Sequence, residues 1–193
     1  MNKTNKTELF RSFLIQALPE PLTRASSHIQ LFDNYIPNTR MRLRSVRNPD
    51  TRIWTRVLQQ RLSATESELT VMKVAEIFLN EEEYEQFRIF EGLEVRKNRY
   101  FHEFDGKTFG FDVYLGGLWG LNTARIEFGD AREMREFDPP RFLIVEITDD
   151  PFFAGESLVT KTFAEIEAEV LRLGVAYSAE SIDEEGGKVR PFM

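Results

Sequence analysis

An α+β fold, an antiparallel sheet closed into a barrel with helices packed outside, is predicted by three observations. Segments that alternate apolar and polar residues follow one another along most of the chain. Turn residues join neighbouring segments as hairpins, most clearly at Asp105 and Gly106. Only two stretches, opening at Asn80 and Thr162, carry clear helical signals, and each stops at a glycine.

Taken in order, residues 7–15 alternate as a strand. Residues 18–34, with Pro19, Pro21 and a Ser-Ser pair, read as irregular, with room for a short helix. Residues 39–47 and 52–60 are two strands joined by a turn around Asn48, Pro49 and Asp50. Residues 69–79 form another strand. The first helix opens at Asn80, a capping residue, with Glu81, Glu82 and Glu83 where the helix dipole favours acids, and runs to Gly92. Strands are expected over 93–103, 107–115, 121–129 and 142–148, and an amphipathic helix over 162–173. Residues 1–175 read as one domain, and 176–193 as a loose acidic tail.

Of 193 residues, 41% are hydrophobic, enough for a core, and no apolar run approaches the ~20 residues that span a bilayer. The N-terminus lacks the apolar stretch of a secretory signal, so a cytoplasmic location is expected. The absence of cysteine excludes thiol nucleophiles and thiolate metal sites, and two histidines, His28 and His102, cannot build a His-rich zinc site. Any metal would be a hard cation on carboxylates. A net charge of −7 argues against general DNA binding. Yet residues 40–61 hold seven arginines against one acid, Asp50.

Arg40, Arg42 and Arg44 are spaced by two, so in a strand they share one face. Arg52, Trp54 and Arg56 repeat the spacing, and so do Lys97 and Arg99. Arginines on one face repel one another unless an anion sits among them, and guanidinium matches phosphate oxygens bidentately. The plainer reading is a solvated face with arginines blunting strand edges. Glu8, Asp112 and Glu127 each lie among apolar neighbours in strand context, where a charge needs a partner. They could hold a hard cation or pair with the arginines, and spacing alone favours pairing.

Six pieces, in order along residues 7–173, resemble the CYTH superfamily, the triphosphate tunnel metalloenzymes. Residues 120–128 (GLNTARIEF) resemble its Gly-Leu-x-x-Ala-Glu-Ile-Glu strand, and residues 111–114 (FDVY) its Val-Asp-x-Phe strand. Residues 95–100 (VRKNRY) resemble its Ile-x-Lys-x-Arg-Tyr strand, and Arg42 and Arg44 fall on its Val-Arg-x-Arg strand. Residues 146–159 resemble its Glu-Val-Thr segment, and residues 8–15 lie where its Glu-x-Glu-x-Lys signature belongs. The resemblance implies an eight-stranded antiparallel tunnel whose cations hold a triphosphate and whose acids hold Mg2+ or Mn2+. It also implies hydrolysis of a triphosphate or, less in keeping with the rest, cyclisation of ATP.

The departures fall on the metal residues. Glu8, Asp112 and Glu127 are kept, but Phe10 and Arg125 stand where two further carboxylates belong, and Ser12 replaces the lysine. Gly155 replaces an asparagine. Two readings stay open. One is a metal-dependent triphosphatase using Glu8, Asp112 and Glu127. The other is a non-catalytic relative, a metal-independent anion-binding or protein-interaction module. Arg42, Arg44, Arg56, Lys97, Arg99 and Arg125 are the expected phosphate contacts, and the expected partner is a triphosphate-bearing small molecule. A homodimer is left open, and no catalytic residue is assigned.

Overall fold

The computed structural model describes residues 3–65 and 68–175. Eight strands form the wall: β1 (Lys3–Leu14), β2 (His28–Tyr35), β3 (Met41–Arg47), β4 (Trp54–Thr65), β5 (Glu68–Leu79), β6 (Glu94–Phe104), β7 (Lys107–Tyr114) and β8 (Asn122–Phe128). They lie in the order β5-β4-β3-β2-β6-β7-β8-β1, all pairs antiparallel. The length of β1 closes the sheet. Lys3–Leu9 pairs with β5 and Leu9–Leu14 with β8, so one strand joins both free edges and no edge of the wall is left open. A two-residue strand, β9 (Val145–Glu146), adds to β1 at Phe13 and Leu14.

The helices are short: α1 (Glu81–Phe87), α2 (Ala131–Glu136), α3 (Gly155–Leu158) and α4 (Phe163–Arg172). Asn80 caps α1 in a full capping box with Glu83, and Thr162 does the same for α4 with Glu165. At the Asp105-Gly106 hairpin both residues take positive φ, 49° and 71°, as a tight two-residue turn requires.

One apolar layer lies outside the barrel, and a second reaches the lumen, where Tyr114, Ile147 and Phe153 line the cavity. On the outer face of β1, β7 and β8, Phe13, Phe109, Phe111 and Ile126 are covered by Phe137 and Phe142 from the chain after α2. A second layer joins Tyr114, Leu121, Ile147 and Phe153 to Leu158 of α3 and Ile166 and Val170 of α4. Strand residues alternate, so burying the outer face of β1, β7 and β8 on the first layer turns their other face, with its charges, inward.

Three sequence expectations change. Residues 28–35, read as irregular, are the strand β2, because a β-hydrophobic run (Ile29, Leu31, Tyr35) pairs on both sides despite the prolines upstream. The strand expected over 142–148 shrinks to β9, since the segment turns away to cover the outer face and one end of the wall. The helix from Asn80 gives way to a 3-10 turn at Arg88–Phe90 before Gly92. The tail at 176–193 lies outside the described residues. No helix among them is long and apolar enough to cross a membrane.

Candidate anion-binding site

Pairing sets which side chains share the lumen. In β3, Arg42 and Arg44 lie opposite Tyr35 and Asp33 of β2 and opposite Gln59 and Val57 of β4. In β6, Lys97 and Arg99 lie opposite Tyr114 and Asp112 of β7, and Asp112 lies opposite Thr123 of β8. Glu127 and Arg125 of β8 lie opposite Phe10 and Ser12 of β1, which brings Glu8 to the same face. These faces enclose a cavity of about 620 Å3, lined by eight lysines and arginines and six acids. A second cavity of about 520 Å3 shares Arg99, Arg125 and Glu127 and adds Phe101, Lys107 and Gly110. Gly110 lets Arg99 lie flat on the wall, since a Cβ there would stand 3.3 Å from Arg99 Cδ.

Three carboxylates organise the cations. Asp33, 1% exposed, takes two hydrogen bonds from Arg44 (Nε 2.5 Å, Nη2 2.7 Å) and one from Arg42 Nη1 (3.1 Å). Asp112 takes two from Arg99 (2.6 and 2.7 Å) and one from Lys97 Nζ (2.7 Å). Glu8 is held by Lys6 (2.9 Å), Arg125 (2.8 Å) and Arg61 (3.4 Å). Burial favours the neutral form of each acid, but the facing cations outweigh it. Glu8 falls to about 2, and Asp33 and Asp112 are held well below the usual carboxylate range. Burial acts the other way on the cations. It lowers Lys97 to about 8, with Asp112 opposing and Arg99 reinforcing the drop. It lowers Arg61 to about 9, helped by Arg42 and Arg125.

Among the cations that line the cavity, Arg42 is left with an open donor. Its Nε donates to Gln59 (2.6 Å) and its Nη1 to Asp33 and Tyr35, yet Nη2 is buried with no hydrogen-bond partner among the described residues. A buried guanidinium donor without an acceptor costs on the order of 1–3 kcal/mol, and an anion in the cavity would relieve it.

Five of the six expected phosphate contacts, Arg42, Arg44, Lys97, Arg99 and Arg125, line the cavity. Arg56 stands apart. It faces outward, stacks on Trp54 and Tyr84 and lies 3.8 Å from Glu81. On β4 the inward series is Val57, Gln59 and Arg61, so Arg61 takes the place expected of Arg56. Asp33, which sequence reasoning passed over inside the segment read as irregular, sits at the centre of the cluster.

Glu8, Asp112 and Glu127 line the cavity as expected, but they do not converge on one point. Arg125 joins two of them, donating to Glu8 (2.8 Å) and to Glu127 (3.3 Å), with its guanidinium 3.6 Å from the centre of the Phe10 ring. Among the described residues no three acids or histidines are grouped so as to hold a metal ion. With Asp112 and Glu8 engaged by cations, the donor set does not fit a divalent ion.

No family model matches the chain, and no curated protein matches it in sequence. Solved structures do. The crystal structure of the hypothetical protein NE1496 aligns with a TM-score of 0.55 at 22% identity, over 80% of this chain and 99% of that one. A structure described as the inorganic triphosphatase NE1496 aligns with a TM-score of 0.54 at 22% identity, over 80% and 95%. The chain has the CYTH tunnel fold. In this tunnel the closing pair is β1 with β5, and the charged side chains line the cavity that the wall encloses.

Proposed function

We propose that the chain binds a triphosphate-bearing small molecule inside the tunnel. The observation that carries this is the buried, partnerless Nη2 of Arg42 in a cavity lined by eight cationic side chains. In this reading Arg42, Arg44, Lys97, Arg99, Arg125 and Arg61 meet the phosphates. Asp33 and Asp112 hold four of them in fixed orientation, so little side-chain entropy is lost when the anion arrives. The lumenal charges are largely buried, so binding here is mainly positioning and neutralisation. The shared fold with a protein described as an inorganic triphosphatase supports a second reading, in which the bound triphosphate is also hydrolysed.

Calorimetric titration of sodium tripolyphosphate into the protein tests the first reading, with phosphate release scored on the same samples for the second. Micromolar affinity is expected for the wild type. Arg42→Gln should weaken it about tenfold to a hundredfold, the usual worth of a charge-assisted hydrogen bond. Absence of heat up to millimolar ligand would refute the reading.

A further inference from the structure

We propose that the tunnel takes its polyphosphate free of divalent metal, with the guanidinium of Arg125, stacked on Phe10, serving as the fixed cation at the Glu8 end of the site. The inference rests on the binding function above and adds the ionic form of the ligand.

Three observations carry it. First, Arg125 is built in. Its Cζ stands 3.6 Å from the centre of the Phe10 ring, Glu8 holds Nη2 at 2.8 Å, and Glu127 meets Nε at 3.3 Å, so ring, acid and cation form one assembly across β1 and β8. Second, each buried carboxylate of the lumen already serves as counter-ion to at least two cations: Glu8 to Lys6, Arg61 and Arg125, Asp33 to Arg42 and Arg44, Asp112 to Lys97 and Arg99. A divalent ion binding Glu8 or Asp112 would have to displace an ammonium or guanidinium and then sit beside it, which Coulomb repulsion at these distances opposes. Third, the lining carries more cationic than acidic side chains, and Arg42 keeps a buried donor open. That excess of cations and the open donor favour an anionic ligand. A magnesium complex of the same ligand would cover oxygens that the guanidiniums grip in the bare anion.

Titrations with sodium tripolyphosphate in EDTA and in excess Mg2+ test this on the wild-type protein. Binding in EDTA as tight as, or tighter than, binding with Mg2+ is the expected result. Binding that appears only with Mg2+ would overturn the metal-free inference and leave the binding function standing. No binding in either buffer would overturn both. Arg125→Ala should weaken binding in EDTA at least tenfold, and an unchanged affinity would remove Arg125 from the site. If that variant fails to fold with Glu8 short of one of its three cations, the double change Glu8→Gln with Arg125→Gln keeps a neutral hydrogen-bonding pair and reads the same loss.

Discussion

Lys97 is a lysine whose charge is in question near neutral pH. Its Nζ is 2.7 Å from Asp112, yet burial and the neighbouring Arg99 bring it down to about 8. Above that value it is neutral and contributes nothing to anion binding, while below it the ammonium is present. A polyphosphate in the lumen favours the charged form, so binding should take up protons between about pH 8 and pH 9. Tripolyphosphate affinity is therefore expected to fall as pH rises from 7 to 9, and the heat of binding at pH 8.5 should depend on the ionisation enthalpy of the buffer. Lys97→Gln should flatten much of the pH dependence. A wild-type affinity level across that range would show that Lys97 does not meet the ligand. For the folded chain the sign is opposite. A lysine depressed on folding penalises the native state below pH 8, and the penalty disappears as pH rises through 8 toward its unfolded value.

At the scale of elements, α3 is tied to the tunnel by a contact that admits only glycine. A Cβ on Gly155 would lie 1.7 Å from Tyr35 Oη and 2.5 Å from Cζ, and Tyr35 Oη in turn accepts from Arg42 Nη1 at 3.2 Å. Gly155→Ala should therefore push Tyr35 off Arg42. The expected cost is on the order of 1–3 kcal/mol, read as a fall of several degrees in melting temperature together with weaker tripolyphosphate binding. In a Tyr35→Ala background the same substitution should cost almost nothing, and an equal cost in both backgrounds would exclude the clash. This contact was not legible in the sequence, because it joins residues 120 positions apart in two elements whose approach is set by the whole barrel. Much else was legible. The two-residue spacing of Arg42 with Arg44, and of Lys97 with Arg99, put each pair on one face, because alternation is a property of the strand itself. Parity within a strand does not say which face is inward, and on β4 the inward arginine is Arg61 rather than Arg56. The aromatic company of Arg56, Trp54 and Tyr84, is an outer-surface contact. Asp33 was hidden for a different reason. The prolines and serines upstream argue for loop, and only pairing with β3 and β6 makes its segment a strand.

The molecule as a whole buries its carboxylate–cation pairs inside the wall, and this governs how it should respond to acid. Glu8, Asp33 and Asp112 all have pKa values lowered on folding, Glu8 from 4.5 to about 2. A carboxylate depressed in the folded state stabilises it fully above its unfolded pKa, and that contribution drains away as pH falls through the folded value. The unfolded chain begins to take up these protons below about pH 5, so stability should hold level from pH 7 to 5 and then decline. The Glu8 shift alone is worth on the order of 3 kcal/mol once fully lost. Thermal melting between pH 7 and 3 reads the decline as a fall in melting temperature of about 2–4 °C for each kcal/mol. Glu8→Gln should lower the melting temperature at pH 7 but flatten the slope between pH 5 and 3, because the residue can no longer release its proton on folding. These pairs lie inside the wall, so added salt should change the slope little, unlike exposed pairs such as Arg132 with Glu136. A melting temperature that stays constant down to pH 3 would mean that the lumenal carboxylates are not ionised counter-ions, and the charge balance on which anion binding rests would fall with them.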